Sequence, residues 1–406
     1  MILFREMPGA FGGRVARRIV TIALLVWLSG VVHATEPGDA DTTLANARDA
    51  ALGGSHVAVP SGFQTLVTNP AGLTGLEPQF TAGGLSFRFS GPAFSLSSVV
   101  LQGLSGGSIA ALLAPPSVQS LLASIYADVS LSGPLYFGYT GGGMGFGVVN
   151  DTSFLIESQG AGSIEAVISE RFLLIGGYGM KLPLPESWQS TLALGVGLKG
   201  FVRGDVSVAT SLLGLPALFD SIGPDLLTDS PFDLVSGIGV DAGLRYVWRD
   251  LLGIAVTASN LYSPSAVLSY PTLGGFLDSS ADPGAPSYSV LPQNLTVGIA
   301  YTPRLGAFER YVQDLTLALD YRDMLDFWID PADAENIILK FGFGVEARLL
   351  EILSIRAGFS DALFAAGLGI DMSVVELNAA MYGSELSLEP GLRPTYNLVV
   401  GLEFHQ

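Results

Sequence analysis

Residues that could carry catalysis or bind metal ions are scarce in this chain. It has no cysteine and only three histidines, His33, His56 and His405. This composition excludes disulfides, thiolate zinc sites and thiol catalysis, and it leaves little material for a Ser–His pair or a multi-histidine metal site. His56 has serines nearby but no evident acidic partner, which is typical of a structural histidine. We therefore expect no enzyme activity, no catalytic residue, no resident cofactor and no metal ion.

Two spacings resemble those of ligand sites. The run from Gly195 to Gly200 has the glycine spacing of a dinucleotide-binding loop, but it lies in an alternating pattern with no helix after it to receive a pyrophosphate. We interpret these glycines as small residues on the inner face of a β-barrel. A second group is acidic and could offer oxygen ligands to a divalent cation, although its spacing matches no calcium loop. It comprises Asp323, Asp326, Asp330, Asp333 and Glu335, which we expect to form a solvated loop face.

The N-terminus predicts export. Residues 19–32 form an apolar stretch of 14 residues that follows three arginines and leads to His33-Ala34, the pattern of a signal peptide with its cleavage site. This stretch is too short to span a bilayer comfortably, and we predict residues 1–34 to be a signal peptide. Removal of residues 1–34 would leave 15 of the 19 basic residues and 36 of the 37 acidic residues in the mature chain. This acidic surplus argues against nucleic acid and anionic membrane surfaces as partners.

The rest of the chain is apolar on average but contains no long apolar run, because its hydrophobic residues alternate with glycine and charge. In Lys340–Arg348, one parity holds Phe341 and Phe343 whereas the other holds Gly342 and Glu346. Such a period of two predicts β-strands with one apolar face. Strands of this kind recur at about 80–101, 128–139, 143–155, 163–181, 191–203, 234–248, 252–260, 293–301, 313–322, 336–347, 352–360, 363–371, 375–382 and 396–404. The pattern predicts an all-β chain of about fourteen strands, with 80–101 forming either one strand or two.

The polar face of these strands indicates a barrel rather than a secreted sandwich. It is crowded with glycine, which suits the restricted interior of a closed barrel better than a solvated sheet face. The apolar face ends in aromatic residues, as the interfacial girdle of a membrane barrel does. The lumenal glycines are Gly195, Gly197, Gly237, Gly239, Gly243, Gly342, Gly344, Gly367 and Gly369, and the outward aromatics are Tyr246, Trp248, Tyr301, Tyr321, Phe359 and Phe404. We predict a transmembrane antiparallel β-barrel over residues 80–406.

Short and long connections alternate along the predicted strands, as they do in barrels of the bacterial outer membrane. Tight turns would face one side, and long outer loops at 102–127, 204–233 and 261–292 would face the other. The first two loops are unusually apolar. Two interpretations remain open: each loop folds into its own small core, or it offers an apolar landing surface for a ligand.

The segment before the first strand does not alternate, and it carries a resemblance to a known family. Ala51-Leu52-Gly53-Gly54 is followed by Asn69-Pro70-Ala71-Gly72-Leu73. This pair of motifs, placed between a signal peptide and the first strand, resembles the N-terminal hatch of FadL-like outer-membrane transporters for long-chain fatty acids and other hydrophobic compounds. The PorV-like and spirochaetal FadL-like relatives share the same opening. The resemblance implies a fourteen-stranded barrel plugged by a hatch at residues 35–79, with Asn69, Pro70, Ala71 and Gly72 in gating.

This resemblance also implies a mechanism. A hydrophobic molecule would be captured on the outer loops, pass a hatch that rearranges, and leave sideways into outer-membrane lipid; barrel assembly machinery would insert the protein. The ligand-contact candidates are Phe63, Leu66, Val67, Leu212, Leu213, Leu215, Leu218 and Phe219, and the candidates for binding a charged head group are Lys199, Arg203, Arg245 and Lys340. The alternative is a PorV-like barrel that anchors protein cargo during secretion. An apolar pocket between hatch and wall would favour transport, and a polar lumen beneath apolar loops would favour cargo binding.

Overall fold

The computed structural model describes residues 44–91, 126–158, 163–211, 224–329, 331 and 334–406. Within these ranges the chain is dominated by antiparallel strands that pair with their neighbours in sequence. The strands are β1 (Gln79–Ser90), β2 (Tyr126–Gly141), β3 (Met144–Ser158), β4 (Ser163–Leu182), β5 (Ser190–Ser211), β6 (Phe232–Trp248), β7 (Leu252–Tyr262), β8 (Pro264–Tyr270), β9 (Ser287–Val290), β10 (Asn294–Tyr301), β11 (Val312–Tyr321), β12 (Phe341–Leu349), β13 (Leu353–Ser360), β14 (Leu363–Asp371), β15 (Val375–Glu385) and β16 (Pro394–His405).

These strands close into a barrel. The first strand pairs with the last, as in Phe87 opposite Val400, and β5 pairs with β6 along its length. Strand β8 continues the line of β7 along β6, and β9 pairs with β8 before β10 returns along β7. Counted around the described wall, the sixteen segments therefore make a fourteen-stranded antiparallel barrel, which confirms the predicted fold class.

Several predicted loop boundaries are wrong. Strand β5 runs to Ser211, because it pairs with β4 as far as Ser163, and β6 begins at Phe232. The predicted loop 204–233 is therefore shorter at both ends. The predicted loop 261–292 contains β8 and β9, because the upper half of β6 extends beyond β7 and needs another strand to satisfy its backbone. Residues 102–125 of the first predicted loop lie outside the described residues, as do residues 92–101 of the first predicted strand.

Another boundary that differs is the start of β12. The strand predicted at 336–347 begins at Phe341, because Asn336 accepts a hydrogen bond from Ile338 N at 3.1 Å and turns the chain there.

We call the end with the turn Arg249-Asp250-Leu251 the first end and the end with the connections 322–340 and 386–393 the second end. The predicted division into tight turns and long loops is incomplete, because the connection 302–311 lies at the first end and the two-residue turn Asp361-Ala362 lies at the second.

The helices are all short. They are α1 (Ala47–Ala51), α2 (Thr65–Thr68), α3 (Pro224–Thr228), α4 (Leu273–Leu277) and α5 (Asp326–Ile329), with 3₁₀ turns at Gly62–Gln64, Pro70–Gly75, Glu186–Trp188 and Gly306–Arg310. In the part of the chain that the structure describes, no helix is long and apolar enough to cross a membrane.

The two faces of the wall have opposite chemistry. Apolar side chains point outward and are exposed; Leu174 and Leu198 are 62% and 60% exposed. Charged side chains such as Arg171 and Lys199, on the same two strands, are buried on the inner side. This arrangement is the reverse of a soluble protein and matches a barrel whose outer face meets lipid.

Residues Leu44–Leu76, here called the inner segment, lie inside the barrel. Their buried apolar side chains form clusters with lumen-facing residues of the wall, and helix α1 packs against β13 to β16. Helix α1 begins at an N-cap, where Asn46 Oδ1 accepts a hydrogen bond from Asp49 N at 3.1 Å. The inner segment is thus the feature that divides the lumen.

Candidate functional site

The Asn-Pro-Ala-Gly turn is held by a single buried amide. Asn69 Oδ1 accepts a hydrogen bond from Ala71 N at 3.0 Å, and Asn69 Nδ2 donates to Val57 O at 3.1 Å. Pro70 follows directly as the first residue of a 3₁₀ turn, where its missing N–H costs nothing. Asn69 therefore fixes the shape of the turn and ties it to the preceding part of the inner segment.

This turn packs against glycines of the wall, and the packing defines what we call the second contact (residues 69–75 on β4, β5 and β6). A Cβ at Gly195 would lie 2.1 Å from Ala71 N, and one at Gly243 would lie 2.0 Å from Asn69 Oδ1. Any side chain at either position would push the turn away from the wall.

Gly195 and Gly197 share the inward parity with the buried Lys199, which supports their interpretation as lumenal glycines. The interpretation is wrong for Gly200, which lies on the outward parity with the exposed Leu198 and has open space around it.

The Ala-Leu-Gly-Gly motif makes a corresponding first contact (residues 47–54 on β12 to β15). Gly53 has a positive φ of 63°, which favours glycine. On the wall, a Cβ at Gly358 would lie 2.4 Å from Gly53 N, and one at Gly344 would lie 2.5 Å from Leu52 O. The backbone of the inner segment thus packs directly on the backbone of the wall, as it does at the second contact. The Ala-Leu-Gly-Gly and Asn-Pro-Ala-Gly-Leu motifs are therefore the two places where the inner segment contacts glycines of the wall.

A buried ion cluster reinforces the first contact. Glu346 Oε2 accepts hydrogen bonds from Arg48 Nε at 2.8 Å and from Arg356 Nε at 3.0 Å. Arg356 Nη1 also donates to Asn378 Oδ1 at 2.6 Å, a path left open by Gly369 on the intervening strand. One carboxylate of the wall therefore joins the inner segment to β13.

A second wall carboxylate receives the middle of the inner segment. Asp320 Oδ2 accepts hydrogen bonds from the backbone N–H groups of His56 at 2.8 Å and Val57 at 3.0 Å. Sequence reasoning missed Asp320, Glu346 and Arg48 as site residues. For Asp320 and Glu346 the available signal was an ionisable side chain on the inward parity of a strand that spans the membrane. Arg48 lies in helix α1, where the period of two gives no such signal.

The inner segment also fills an apolar belt of the lumen. Phe63 and Leu66, both predicted ligand contacts, are 2% and 1% exposed and cluster with wall residues of β2 to β6; Val67 packs against the same cluster. Phe63 lies 4.8 Å from the Tyr136 ring, centroid to centroid. The other wall members include Val149, Leu173, Ile175, Phe201 and Val235. The structure thus brings Phe63, Leu66 and Val67 together, whereas predicted contacts Leu212, Leu213, Leu215, Leu218 and Phe219 lie outside the described residues.

Polar cavities lie on both sides of the inner segment. The upper cavity, toward the second end, has a volume of about 380 Å³ and is lined by serines and by three arginine–aspartate pairs. The lower cavity, toward the first end, has a volume of about 260 Å³ and is lined by Arg48, Arg348 and Arg356 among other residues. The lumen is therefore polar above, apolar at the level of the belt, and polar below.

The four cationic residues predicted to bind a charged head group are dispersed. Lys199 is buried and lies 3.1 Å from Asp241 Oδ2, and Arg203 lines the upper cavity beside Asp205 at 2.9 Å. Arg245 Nε donates to Ala58 O at 3.3 Å, on the inner segment. The four residues therefore do not form one binding site.

Lys340 lies apart from the other three, in the connection between β11 and β12. Its Nζ donates to Asp323 O at 3.2 Å and pairs with Asp326. Burial and, second, the neighbouring Asp326 raise the pKa of Asp323, whereas Lys340 opposes this shift. Asp330 and Asp333 of the acidic group lie outside the described residues. Among the described residues, no three acidic or histidine side chains are placed to hold a metal ion together.

Comparisons with known proteins show only distant likeness. No family model and no curated protein matches this sequence. Among solved structures, the CymD monoaromatic hydrocarbon channel is 13% identical, with a TM-score of 0.46 over 89% of this chain and 96% of that chain. The Pseudomonas putida toluene transporter TodX is also 13% identical, with a TM-score of 0.40 over 91% and 100% of the two chains. A Pseudomonas aeruginosa FadL homologue is 9% identical, with a TM-score of 0.29 over 89% and 97%. These values are too low to transfer a function, so the fold rests on the strand pairing described above.

Proposed function

We propose that this protein is an outer-membrane channel for small hydrophobic molecules, long-chain fatty acids among them. The inner segment closes this channel. The observation that carries the proposal is the apolar belt. Phe63 and Leu66 fill the level of the described lumen where large apolar wall residues of β2 to β6 cluster, and an apolar solute would gain burial energy there. An apolar exterior around a closed barrel supports insertion into a membrane.

We further propose that the inner segment acts as a hatch within residues 35–79, and that residues 1–34 are removed on export. Asn69, Pro70, Ala71 and Gly72 form the turn whose movement would open the belt. Support comes from the kind of contact they make: neutral hydrogen bonds and glycine packing, which can separate without exposing a buried charge.

A sideways exit is proposed between β1 and β2. Their pairing shifts register between Thr81 and Ser86, and β2 skips its pairing with β3 between Ser132 and Tyr136. Tyr136 contacts Phe63 of the inner segment, so this irregular part of the wall adjoins the belt. Release into lipid would retain burial energy of about 0.8 kcal/mol per CH₂ group of the solute, which a water-filled route would lose.

A second candidate function, anchoring of protein cargo in the manner of PorV-like barrels, is favoured by the second end. Large apolar side chains are exposed there, including Trp328 at 78% and Leu392 at 70%. The two connections that carry them touch, since Asn336 N donates to Leu388 O at 2.9 Å. With the polar upper cavity beneath it, this surface fits the features that a cargo anchor requires.

The decisive experiment locks the second contact. A Cβ at Gly179 would lie 3.0 Å from Thr74 Cγ2, which is within reach of a disulfide in the Thr74→Cys/Gly179→Cys variant. It would also lie 2.9 Å from Pro70 O, a closer approach than the backbone accepts without a small shift, and the reduced variant measures the effect of that shift on uptake. The chain has no other cysteine, so this pair is unambiguous. We expect uptake of labelled oleate and toluene by cells carrying the oxidised variant to fall to the level of cells without the protein, and to recover on reduction.

The matched control is Ala347→Cys/Ile355→Cys, which joins paired residues of β12 and β13 and leaves the inner segment untouched. Its uptake should be unchanged by oxidation. Wild-type uptake equal to that of cells without the protein would refute transport and leave cargo anchoring as the better function. Full uptake through the oxidised Thr74–Gly179 variant would refute gating by this turn.

A further inference from the structure

The upper cavity and the apolar belt form successive rows across β3, β4 and β5. Backbone pairing places lumen-facing residues of the three strands side by side, so each row can be followed from the second end toward the inner segment. The rows are Ser153–Ser169–Asp205, then Asp151–Arg171–Arg203, then Val149–Leu173–Phe201. The chemistry thus changes from hydroxyl-rich and ionic to apolar within a few residues, which matches the polarity of an amphiphile.

The ionic part of this cavity has no surplus of positive charge. Arg171 lies 3.4 Å from Asp151 and Arg203 lies 2.9 Å from Asp205. A third pair on the adjoining strands β1 and β2, Arg88 with Asp128 at 2.8 Å, also lines the cavity. An anionic head group would meet three carboxylates as well as three guanidinium groups, so the cavity is not built to attract it.

Two oxygen atoms of this cavity need a hydrogen-bonding partner. Of the serine and aspartate oxygens that line it in the described residues, Ser130 Oγ and Asp205 Oδ1 are buried without one. Ser130 is 1% exposed and lies beside Ser153, in the same row as Asp205. A carboxylate oxygen can only accept, so Asp205 Oδ1 requires a donor, which an ionised fatty acid cannot supply. A hydroxyl group can satisfy either kind of atom, because it both donates and accepts.

We propose that the upper cavity binds the uncharged, hydroxyl-bearing head group of an amphiphile, whose apolar chain points toward the belt. This inference rests on the proposed transport function and narrows its substrate class to hydroxylated neutral amphiphiles in preference to free fatty acid anions. The cavity volume of about 380 Å³ accommodates a head group of several heavy atoms, with the chain entering the belt when the inner segment shifts.

The test compares three ligands with the same twelve-carbon acyl chain. Laurate is anionic, methyl laurate is neutral without a donor, and 1-lauroylglycerol is neutral with two hydroxyl donors. Binding of each radiolabelled compound to the full-length protein, held in an amphipathic polymer rather than detergent, is measured by equilibrium dialysis. We expect 1-lauroylglycerol to bind about tenfold more tightly than either of the others.

The Asp205→Asn variant can place an amide nitrogen, which donates a hydrogen bond, where Asp205 Oδ1 accepts one. We expect it to weaken 1-lauroylglycerol binding and strengthen laurate binding. Asp250→Asn, in an exposed turn at the first end, makes the same charge change and should alter neither. A heat-modifiability shift on gel electrophoresis confirms that each variant is folded, and Ser130→Ala supplies a second variant that should weaken 1-lauroylglycerol binding alone.

Three outcomes overturn the proposal. Laurate or methyl laurate could bind the wild-type protein as tightly as 1-lauroylglycerol, or folded Asp205→Asn and Ser130→Ala could leave the ranking unchanged. In either case, continued uptake of labelled oleate in the locking experiment would leave the transport function standing. Absence of binding for all three ligands, together with absence of uptake, would refute both proposals.

Discussion

The two contacts that hold the inner segment differ in kind. The first contact combines glycine packing with a buried carboxylate, Glu346, that bridges Arg48 and Arg356. The second contact relies on glycine packing and the neutral hydrogen bonds of Asn69. Separating a buried ion pair costs about 3–5 kcal/mol when one charge is left alone, whereas a neutral hydrogen bond contributes about 1 kcal/mol.

This difference indicates how one segment can both stay in the barrel and move. The first contact serves as an anchor, since opening it would strand charge in the lumen. The second contact, which lies beside the apolar belt, can release its turn at lower cost. We therefore expect any rearrangement to begin at the second contact, and the following predictions test this order.

The largest effect is expected from Glu346→Gln. It removes the charge shared by Arg48 and Arg356, both buried, and should lower the free energy of unfolding by about 3–5 kcal/mol. Denaturant unfolding of the protein in lipid vesicles measures this change, and hydrogen exchange should accelerate in residues 47–54 more than in 69–75. Glu351→Gln, in an exposed turn, is the matched control. Equal acceleration at both contacts would contradict a separate anchor.

A smaller effect follows from adding one methyl group to wall glycine. Gly195→Ala should force the second contact apart and cost about 1–3 kcal/mol, since the new Cβ would meet the Ala71 backbone. Gly200→Ala, on the same strand with open space around it, is the control and should change stability little. Hydrogen exchange should show faster exchange in 69–75 alone. If hydrogen exchange became faster in residues 47–54 instead, the second contact would be the anchor and the first contact would be the one that opens.

Removing the amide of the turn has an effect of about 1–2 kcal/mol. Asn69→Ala leaves Ala71 N and Val57 O without their buried partner, which should loosen the turn and raise uptake of labelled oleate through the channel. Asn69→Asp is the informative companion, because it retains an acceptor for Ala71 N and loses the donor to Val57 O. If Asn69→Ala leaves uptake and exchange in 69–75 unchanged, the turn does not control opening.

The smallest effect is expected at the edge of the first contact. Ser86 Oγ donates to Ala45 O at 2.8 Å, and Ser86→Ala should cost about 0.5–1.5 kcal/mol, the usual range for one neutral hydrogen bond, because Ser86 is only half-buried. Fraying of residues 44–46 in hydrogen exchange, with 47–54 still protected, is the expected signature. Loss of protection throughout 47–54 would mean that the anchor depends on this bond rather than on Glu346.

Much of the wall was predictable because a strand has a period of two. Lys340–Arg348 was divided correctly into an outward parity with Phe341 and Phe343 and an inward parity with Gly342 and Glu346. The upper end of β5, residues 204–211, was not, since its small and polar residues give a weak apolar face and only pairing with β4 extends the strand there. Asn69 was singled out because its motif is local, and its bonds to Ala71 N and Val57 O lie within twelve residues of it; its contact with the Leu244 carbonyl of the wall was not predictable in this way.

Which residues contact each other inside the lumen could be determined only from the closed barrel. Arg48 and Glu346 are 298 residues apart, and nothing in the local pattern of either selects the other. The same holds for the contact between Ala71 and Gly195. A glycine on the inward parity indicates that the space beside it is restricted, but it does not indicate which residue occupies that space. Alternation decides which side of the wall each residue faces, since that depends only on the backbone period. Closure, stagger and the path of the inner segment decide which residues meet, because those contacts join elements that are distant along the chain.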